Sequence, residues 1–170
     1  IVSTKYSNED DDETNIDFVL PCLRQGVDIQ NGAYVSNVAL THGGALSTSE
    51  NRKNSLFGVK NTVFKNNRAN GGKGGAMFLS GSNSGADIEG VAFEGNVARD
   101  GGGGISVEKN SIVRMNSVIA NNNVAVDPSV PAEGDHVSSG GFLQAYFAGP
   151  LLVRNVSMGH NRADNSGGAM

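Results

Sequence analysis

One short pattern recurs five times along this chain: an apolar residue, an asparagine three positions later, and further on a glycine pair followed by apolar residues. The copies begin at Tyr34, Phe64, Phe93, about Ile119, and Met158. A period of about 20–50 residues is typical of repeat proteins, in which each copy packs against its neighbours. The pattern therefore predicts stacked copies of one unit rather than a single globular core.

Each copy keeps its asparagine and its glycines in phase. The clear asparagines are Asn37, Asn67, Asn96 and Asn161, and the glycine pairs are Gly43–Gly44, Gly74–Gly75, Gly102–Gly103, Gly140–Gly141 and Gly167–Gly168. The fourth copy permits two registers, one from Ile119 with Asn122 and one from Val118 with Asn121. Its extra length falls at 127–138, where two prolines and polar residues predict an inserted loop.

The apolar residues of each copy follow the spacing of short strands. Ile88, Val91 and Phe93 stand in a run bounded by glycine and asparagine, and no window keeps an apolar stripe of helical period over three turns. A disordered linker rich in glycine and asparagine is the alternative, but it does not require an apolar residue in fixed phase with each asparagine. Short parallel strands, paired from copy to copy, are therefore the prediction.

Stacking in a parallel β-helix explains each recurring residue type. Neighbouring strands lie about 4.8 Å apart, so Phe64 and Phe93 are expected in an inner stack with Tyr34, Ile119 and Met158. The repeated asparagines are expected to form a ladder of amide hydrogen bonds, and asparagine also tolerates the left-handed conformation of a corner. Glycine pairs supply further corners and close backbone approach.

These motifs carry a family resemblance over about residues 29–170. The pattern Phe-x-x-Asn-x-Ala followed by Gly-Gly-Ala and an aliphatic residue resembles the repeat of the polymorphic outer-membrane proteins, which are passenger regions of certain bacterial autotransporters. Similar repeats occur in large surface proteins of algae and protists. The resemblance implies a right-handed, pectin-lyase-like β-helix. This chain departs from the pattern at Gly104 and Phe142, which replace alanine, and in the tyrosine, isoleucine or valine, and methionine that replace phenylalanine.

The predicted architecture is all-β: a right-handed parallel β-helix, or solenoid, of about five to six coils, as a fragment of a longer array. Residues 1–26 are predicted to form an N-terminal coil or irregular segment with an acidic loop, and 27–170 the repeats. The net charge is −4, with scattered basic residues, which disfavours a nucleic-acid groove. No apolar stretch is long enough to span a membrane.

Three isolated features each admit a site, but each has a simpler interpretation. The acidic run 9–13 contains enough carboxylates for calcium, yet it lacks the spacing of a calcium-binding loop and is predicted to be a solvated loop. Cys22 is expected to be a buried core residue, with a reactive thiol or a disulfide as alternatives. Asn155 begins a glycosylation sequon, but we expect it within a strand and unmodified.

Histidines and arginines are the remaining candidates for catalysis. His160 occupies the variable position before a ladder asparagine and is interpreted as a surface residue, whereas His42 and His136 lack a second ligand at metal spacing. The arginines that follow the ladder are predicted to pair locally with aspartates on the surface; they are Arg68, Arg99 and Arg162, with Asp100 and Asp164 nearby. Residues 101–104 belong to the repeat rather than to a phosphate loop.

The sequence therefore predicts a non-catalytic structural or adhesive segment of a cell-surface or secreted protein. It displays loops for protein or glycan contacts, and its other partners are neighbouring coils of the same or an adjoining chain. We assign no catalytic, cofactor-binding or metal-binding residue, no cofactor and no nucleic-acid partner. The alternatives are an extracellular polysaccharide lyase or hydrolase, and an accessory subunit of a large assembly.

Overall fold

The computed structural model describes residues 24–48, 55–81, 85–109, 111–126, 139–146, 148–164 and 167–170. These residues form strands and turns, with no helix among them. The acidic run 9–13, Cys22, His136 and the loop 127–138 lie outside the described residues. The predictions made for them, and for the segment 1–26, therefore remain predictions.

Each copy of the repeat contributes a set of short strands. The first contributes β1 (Arg24–Gln30), β2 (Ala33–Val35), β3 (Val38–Ala39) and β4 (Leu46–Ser47). The second contributes β5 (Ser55–Lys60), β6 (Val63–Lys65), β7 (Arg68–Ala69) and β8 (Met77–Ser80). The third contributes β9 (Gly85–Glu89), β10 (Ala92–Glu94), β11 (Val97–Ala98) and β12 (Ile105–Glu108).

The last two copies have longer first strands. The fourth contributes β13 (Ile112–Asn121), β14 (Val124–Ala125) and β15 (Leu143–Tyr146). The fifth contributes β16 (Leu151–Gly159) and β17 (Arg162–Ala163). Because β13 runs through two positions that are separate strands in earlier copies, it pairs with β9 along its first half and with β10 along its second.

All pairing is parallel and joins equivalent strands of successive copies. The first sheet has the order β1-β5-β9-β13-β10-β6-β2, with β16 also on β13. The second has the order β17-β14-β11-β7-β3, and the third has β15-β12-β8-β4. The expected all-β architecture with parallel strands is therefore confirmed.

The core lies along the inward faces of these strands. Inward and outward residues alternate along β13, where Val113 and Met115 are buried and Arg114 between them is half-buried. In the first sheet, Ile29, Val59, Ile88 and Met115 share one register position, so the same apolar side chain is supplied by copy after copy. Burial of this repeated face is what makes each copy depend on its neighbours.

The predicted aromatic stack is confirmed for three copies. The rings of Tyr34 and Phe64 lie 5.1 Å apart at an interplanar angle of 11°, and those of Phe64 and Phe93 lie 5.1 Å apart at 9°. We use the name aromatic column for the register position of Tyr34, Phe64, Phe93, Ala120 and Met158. Offset stacking of this kind adds to the burial of the rings themselves.

Both registers predicted for the fourth copy were wrong. Ala120, and neither Ile119 nor Val118, pairs with Phe93 on one side and Met158 on the other. Ile119 faces outward with 52% of its surface exposed, whereas Ala120 is fully buried. Three consecutive asparagines made the local sequence compatible with any of three registers, and burial of the small residue selected the third.

A bulky residue compensates for this small one. Phe142, which replaces alanine in the glycine motif, is fully buried, and its ring centroid lies 5.4 Å from that of Phe93. The ring of Phe142 fits because residue 104 in the preceding copy is glycine: an added Cβ there would lie only 2.5 Å from Cδ2 of Phe142. The large side chain at 142 is therefore accommodated together with the small residues at 120 and 104, so that the interior stays closely packed.

Candidate functional site

A continuous file of asparagine side chains runs through all five copies. This asparagine column consists of Asn37, Asn67, Asn96, Asn123 and Asn161, and each Nδ2 donates to Oδ1 of the next member. The N···O distances are 2.8, 2.9, 2.9 and 2.9 Å. The predicted ladder is confirmed, with Asn123 supplying the fourth member instead of Asn121 or Asn122.

The asparagines of the column after Asn37 also fix the backbone. Oδ1 of Asn96 accepts from the backbone N–H of Asn67 at 3.0 Å, while its Nδ2 donates to the carbonyl oxygen of Phe64 at 2.9 Å. The same two bonds recur in the neighbouring copies, for example from Asn123 Nδ2 to the Phe93 carbonyl at 3.1 Å. Because Asn67, Asn96 and Asn123 are fully buried, these bonds satisfy groups that water does not reach.

The corner before each asparagine is left-handed. Ser36, Asn66, Asn122 and His160 have φ between 52° and 57°, and Gly95 has φ 62°. The sequence prediction assigned this conformation to asparagine in general, but it falls on the residue before the column member. His160 is therefore an exposed corner residue, in agreement with its interpretation as a surface histidine.

The glycine pairs have two different roles. Gly74, the first of its pair, has φ 70°, and the first glycine of every other pair also has a positive φ. Gly75, the second, packs so closely that an added Cβ would collide with the backbone oxygen of Gly103 in the next copy. Corner formation and close approach were the predicted uses of this motif, and both are confirmed.

The outward face of the third sheet carries a group of polar side chains that we name the lysine–glutamate cluster: Lys73, Ser80, Ser106, Glu108 and Tyr146. Lys73 Nζ lies 2.6 Å from Glu108 Oε1, with side-chain exposures of 27% and 12%. It also lies 5.4 Å from the centroid of the Tyr146 ring. In this geometry the ammonium offsets the charge of a largely buried carboxylate, which is the arrangement of a structural ion pair.

His42 borders this face and is held on two sides. Its ring stacks on Phe78 with centroids 4.4 Å apart, and its Nδ1 accepts from the backbone N–H of Lys73 at 3.0 Å. Acceptance at Nδ1 assigns the ring proton to Nε2 in the neutral form. His42, which the sequence left without a role, is thus part of the packing between the first two copies.

The candidate arginines are separated in the structure. Arg68 and Arg162 share one register position of the second sheet, but Val97 and Val124 lie between them. Arg162 Nη2 pairs with Asp164 Oδ1 at 2.9 Å, as predicted, whereas Arg68 Nε donates to Asn70 Oδ1 at 2.6 Å. Asp100 donates its backbone N–H to the Gly72 carbonyl at 3.1 Å.

Asn155 of the sequon lies in β16, as expected. It is exposed, has φ 49°, and donates from Nδ2 to Oδ1 of Asn116 at 3.0 Å. The sequence therefore placed this residue correctly, and whether it is glycosylated remains a prediction.

Sequence reasoning missed the lysine–glutamate cluster and the role of Phe142. Lys73 and Glu108 are 35 residues apart in sequence, and only the pairing of β8 with β12 and the bridge between Lys73 and Gly101 bring them together. A signal did exist for Phe142, since a bulky residue at an alanine position requires space from an adjacent copy.

Within the described ranges, no group of three or more histidine, cysteine, aspartate or glutamate side chains is arranged to hold a metal ion. In the same residues no helix is long and apolar enough to cross a membrane.

The comparisons with known proteins agree with the repeat geometry. The Chlamydia polymorphic membrane protein repeat matches residues 90–108, which include Phe93, Asn96 and the glycines before Ile105. A longer similarity joins the chain to one curated protein: it is 31% identical over 137 residues to the probable autotransporter YfaL of Escherichia coli strain K12. The similarity covers 76% of this chain and 11% of the length of that relative.

Both similarities indicate an outer-membrane or surface-exposed protein, so the predicted cell-surface location is confirmed. They also support the resemblance to the polymorphic membrane protein repeat that the motifs carry. No solved structure matches the chain.

Proposed function

We propose that this chain is a non-catalytic segment of right-handed parallel β-helix in a longer surface protein, where it acts as a rigid support that displays loops for protein or glycan contacts. The asparagine column carries the proposal. A hydrogen-bonded file through every copy ties each unit to the next in one direction, and repeat units tied in this way add length at constant cross-section.

A general rule supports the proposed handedness. Successive copies return to the same parallel sheet, as β1 does to β5 and β5 to β9. Connections between parallel strands of one sheet are right-handed in about 98% of cases. This supports a right-handed path, and the resemblance to the repeat of autotransporter passengers points the same way.

Extension of the repeat tests the architecture. Residues 61 and 90 are equivalent corner positions, so 61–89 is one full period that can be duplicated after residue 89. Three extra periods should lengthen the particle by about 14 Å at unchanged cross-section, as measured by small-angle X-ray scattering. Isotropic growth of the particle would contradict the proposed β-helix.

A turnover screen tests the absence of catalysis. The purified chain is incubated with pectate, alginate and related glycans, and unsaturated or reducing products are measured. We expect no product above that of a heat-denatured control. Turnover that is lost in Arg68→Ala or Asp100→Asn, while binding of the same glycan is retained, would establish the lyase or hydrolase instead.

A further inference from the structure

The outward face of the first sheet changes its charge along the stack of copies. Two adjacent rows of its outward positions show this change: Asp28, Gly58, Asp87, Arg114 and Leu152 share one register position, and Gln30, Lys60, Glu89, Asn116 and Arg154 share the next. Acidic side chains occur in the first and third copies, and Lys60 of the second copy pairs with Glu89 at 3.2 Å. In the last two copies, both charged members are arginines.

A recess lies where the two arginines stand. We name it the arginine groove; its cavity is about 500 Å³, and it is lined by Arg114, Met115, Asn116, Leu152, Arg154 and Asn155. This volume is within the range of small-molecule sites, about 300–1,000 Å³. Its lining contains two guanidinium groups and two carboxamides but no carboxylate, although the chain as a whole has a net charge of −4.

The two carboxamides are held in place by each other. Asn155 Nδ2 donates to Asn116 Oδ1 at 3.0 Å across neighbouring strands. This bond leaves the Asn116 amide nitrogen as a donor and the Asn155 amide oxygen as an acceptor, and neither has a partner among the described residues. Asn155 also stands at a left-handed corner with φ 49°, so its direction is set by the backbone as well.

Arg154 projects beside this pair and is exposed. Within the part of the chain that the structure describes, it forms no ion pair, and its neighbour across the strand pair is the neutral Asn116. Arg114 stands between Asp87 and Leu152 in its row. Guanidinium groups bind carboxylate and sulfate through paired N–H donors, and half-buried ones bind more strongly than fully solvated ones.

From this geometry we infer that the arginine groove binds an anionic polysaccharide, with Arg114 and Arg154 contacting its carboxylate or sulfate groups and the carboxamides contacting its hydroxyl groups. Leu152 supplies an apolar surface for the face of a sugar ring. The groove is partly open to solvent, as a chain ligand requires, and the surface location of the protein brings it into contact with extracellular glycans. The inference rests on the proposed display function and specifies one of its ligands.

Paired glycans test the inference. Polygalacturonate is compared with its methyl ester, and heparin with desulfated heparin, by biolayer interferometry on the immobilised chain. Each acidic form is expected to bind at least ten-fold more tightly than its neutralised counterpart. Preference in either pair supports the groove and identifies carboxylate or sulfate as the group recognised, and absence of preference in both pairs overturns it.

Matched arginine variants locate the binding. Arg154→Ala and Arg114→Ala should each weaken binding of the acidic glycan by about ten-fold. Arg162→Ala removes the same charge from the second sheet and should change it less than two-fold. Equal losses in all three variants would show non-specific attraction and overturn the groove.

Two controls separate this inference from the proposed function. Each variant is checked by circular dichroism and by its thermal midpoint, because an unfolded variant would lose binding whether or not the groove is the binding site. Asn116→Ala serves as a second groove variant that removes no charge. If the wild-type chain binds but also cleaves the glycan, the proposed non-catalytic function fails while the groove stands. If it neither cleaves nor prefers the acidic forms, the groove fails while the display function stands.

Discussion

The interior of the asparagine column should contribute far more to stability than its end. Asn96 is fully buried, and its side chain takes part in four hydrogen bonds: two accepted from Asn67 and two donated to Phe64 and Asn123. Replacement by alanine leaves the N–H of Asn67 and one proton of its Nδ2 without an acceptor. Since each buried group left unpaired costs about 1–3 kcal/mol, Asn96→Ala should lower the free energy of unfolding by about 2–6 kcal/mol.

Asn37 provides the matched control in the same column. It is exposed and donates from its backbone N–H and its Nδ2 to Oδ1 of Asn67. No described residue donates to its own Oδ1, so Asn37→Ala removes one side-chain bond at a site that water reaches. The expected loss is about 0.5–1.5 kcal/mol.

Urea denaturation followed by circular dichroism and by intrinsic tyrosine fluorescence measures both variants. Two probes are needed because repeat proteins can unfold in stages, and coincident transitions are the condition for comparing free energies. Asn96→Asp is the third variant, since it keeps the shape and the Oδ1 that accepts both bonds from Asn67 but replaces the donating Nδ2 with an oxygen; it should lose at least as much as Asn96→Ala. Equal losses for Asn37→Ala and Asn96→Ala would refute the account of the column.

Three further predictions concern other contacts. Phe142→Ala should lower the free energy of unfolding by about 3–5 kcal/mol because it leaves a cavity. Gly104→Ala should destabilise the native chain but be nearly neutral when Phe142 is also alanine, and a double-mutant cycle measured by urea denaturation tests this coupling. Lys73→Met should cost about 3 kcal/mol because it leaves Glu108 buried without its partner, whereas Lys65→Met, at an exposed pair with Glu94, should cost about 0–1 kcal/mol by the same assay. The hydrogen bond from Lys60 to Glu89 and, to a smaller extent, the negative charge of Glu89 raise the pKa of Lys60 above 10.5. The pair therefore stabilises the fold fully below pH 10.5, and this stabilisation is lost as the pH rises through the pKa of the folded state. Glu89→Gln should return the pKa of Lys60 toward 10.5 in an NMR titration.

Residues that repeat could be predicted from the sequence, because their phase is visible in one dimension. Asn67 and Asn96, or Gly74 and Gly102, stand at the same place in every copy, and the structure aligns them. The fourth copy failed because Asn121, Asn122 and Asn123 are chemically identical. In its register the small Ala120 pairs with Phe93, and the ring of Phe93 also packs against Phe142 of the fourth copy. That information lies in packing between copies and not in any local run of residues.

Residues that do not repeat could not be predicted in the same way. Glu108 stands in one row with Ser80 and Tyr146, so no pattern marks it, and its partner Lys73 comes from the copy before. Arg114 and Arg154 likewise belong to adjacent rows that contain aspartate and lysine in other copies. Only the register of the strands shows that the two arginines stand near each other, and for that reason the sequence offered no indication of the arginine groove.

The asparagine column explains how such a chain can vary its loops without disturbing its support. From Asn96 to Asn123 the chain takes 27 residues, and from Asn123 to Asn161 it takes 38, yet the Nδ2–Oδ1 distance is 2.9 Å in both steps. The additional residues fall after β14 and before the glycine corner at Gly140, so they enter between two fixed points of the repeat. Asn123 and Asn161 bond to the neighbouring column member and to the backbone of the preceding copy, and none of these bonds depends on the length of the connection. A surface protein built in this way can therefore change the length of one connection while the hydrogen bonds that join the copies stay the same.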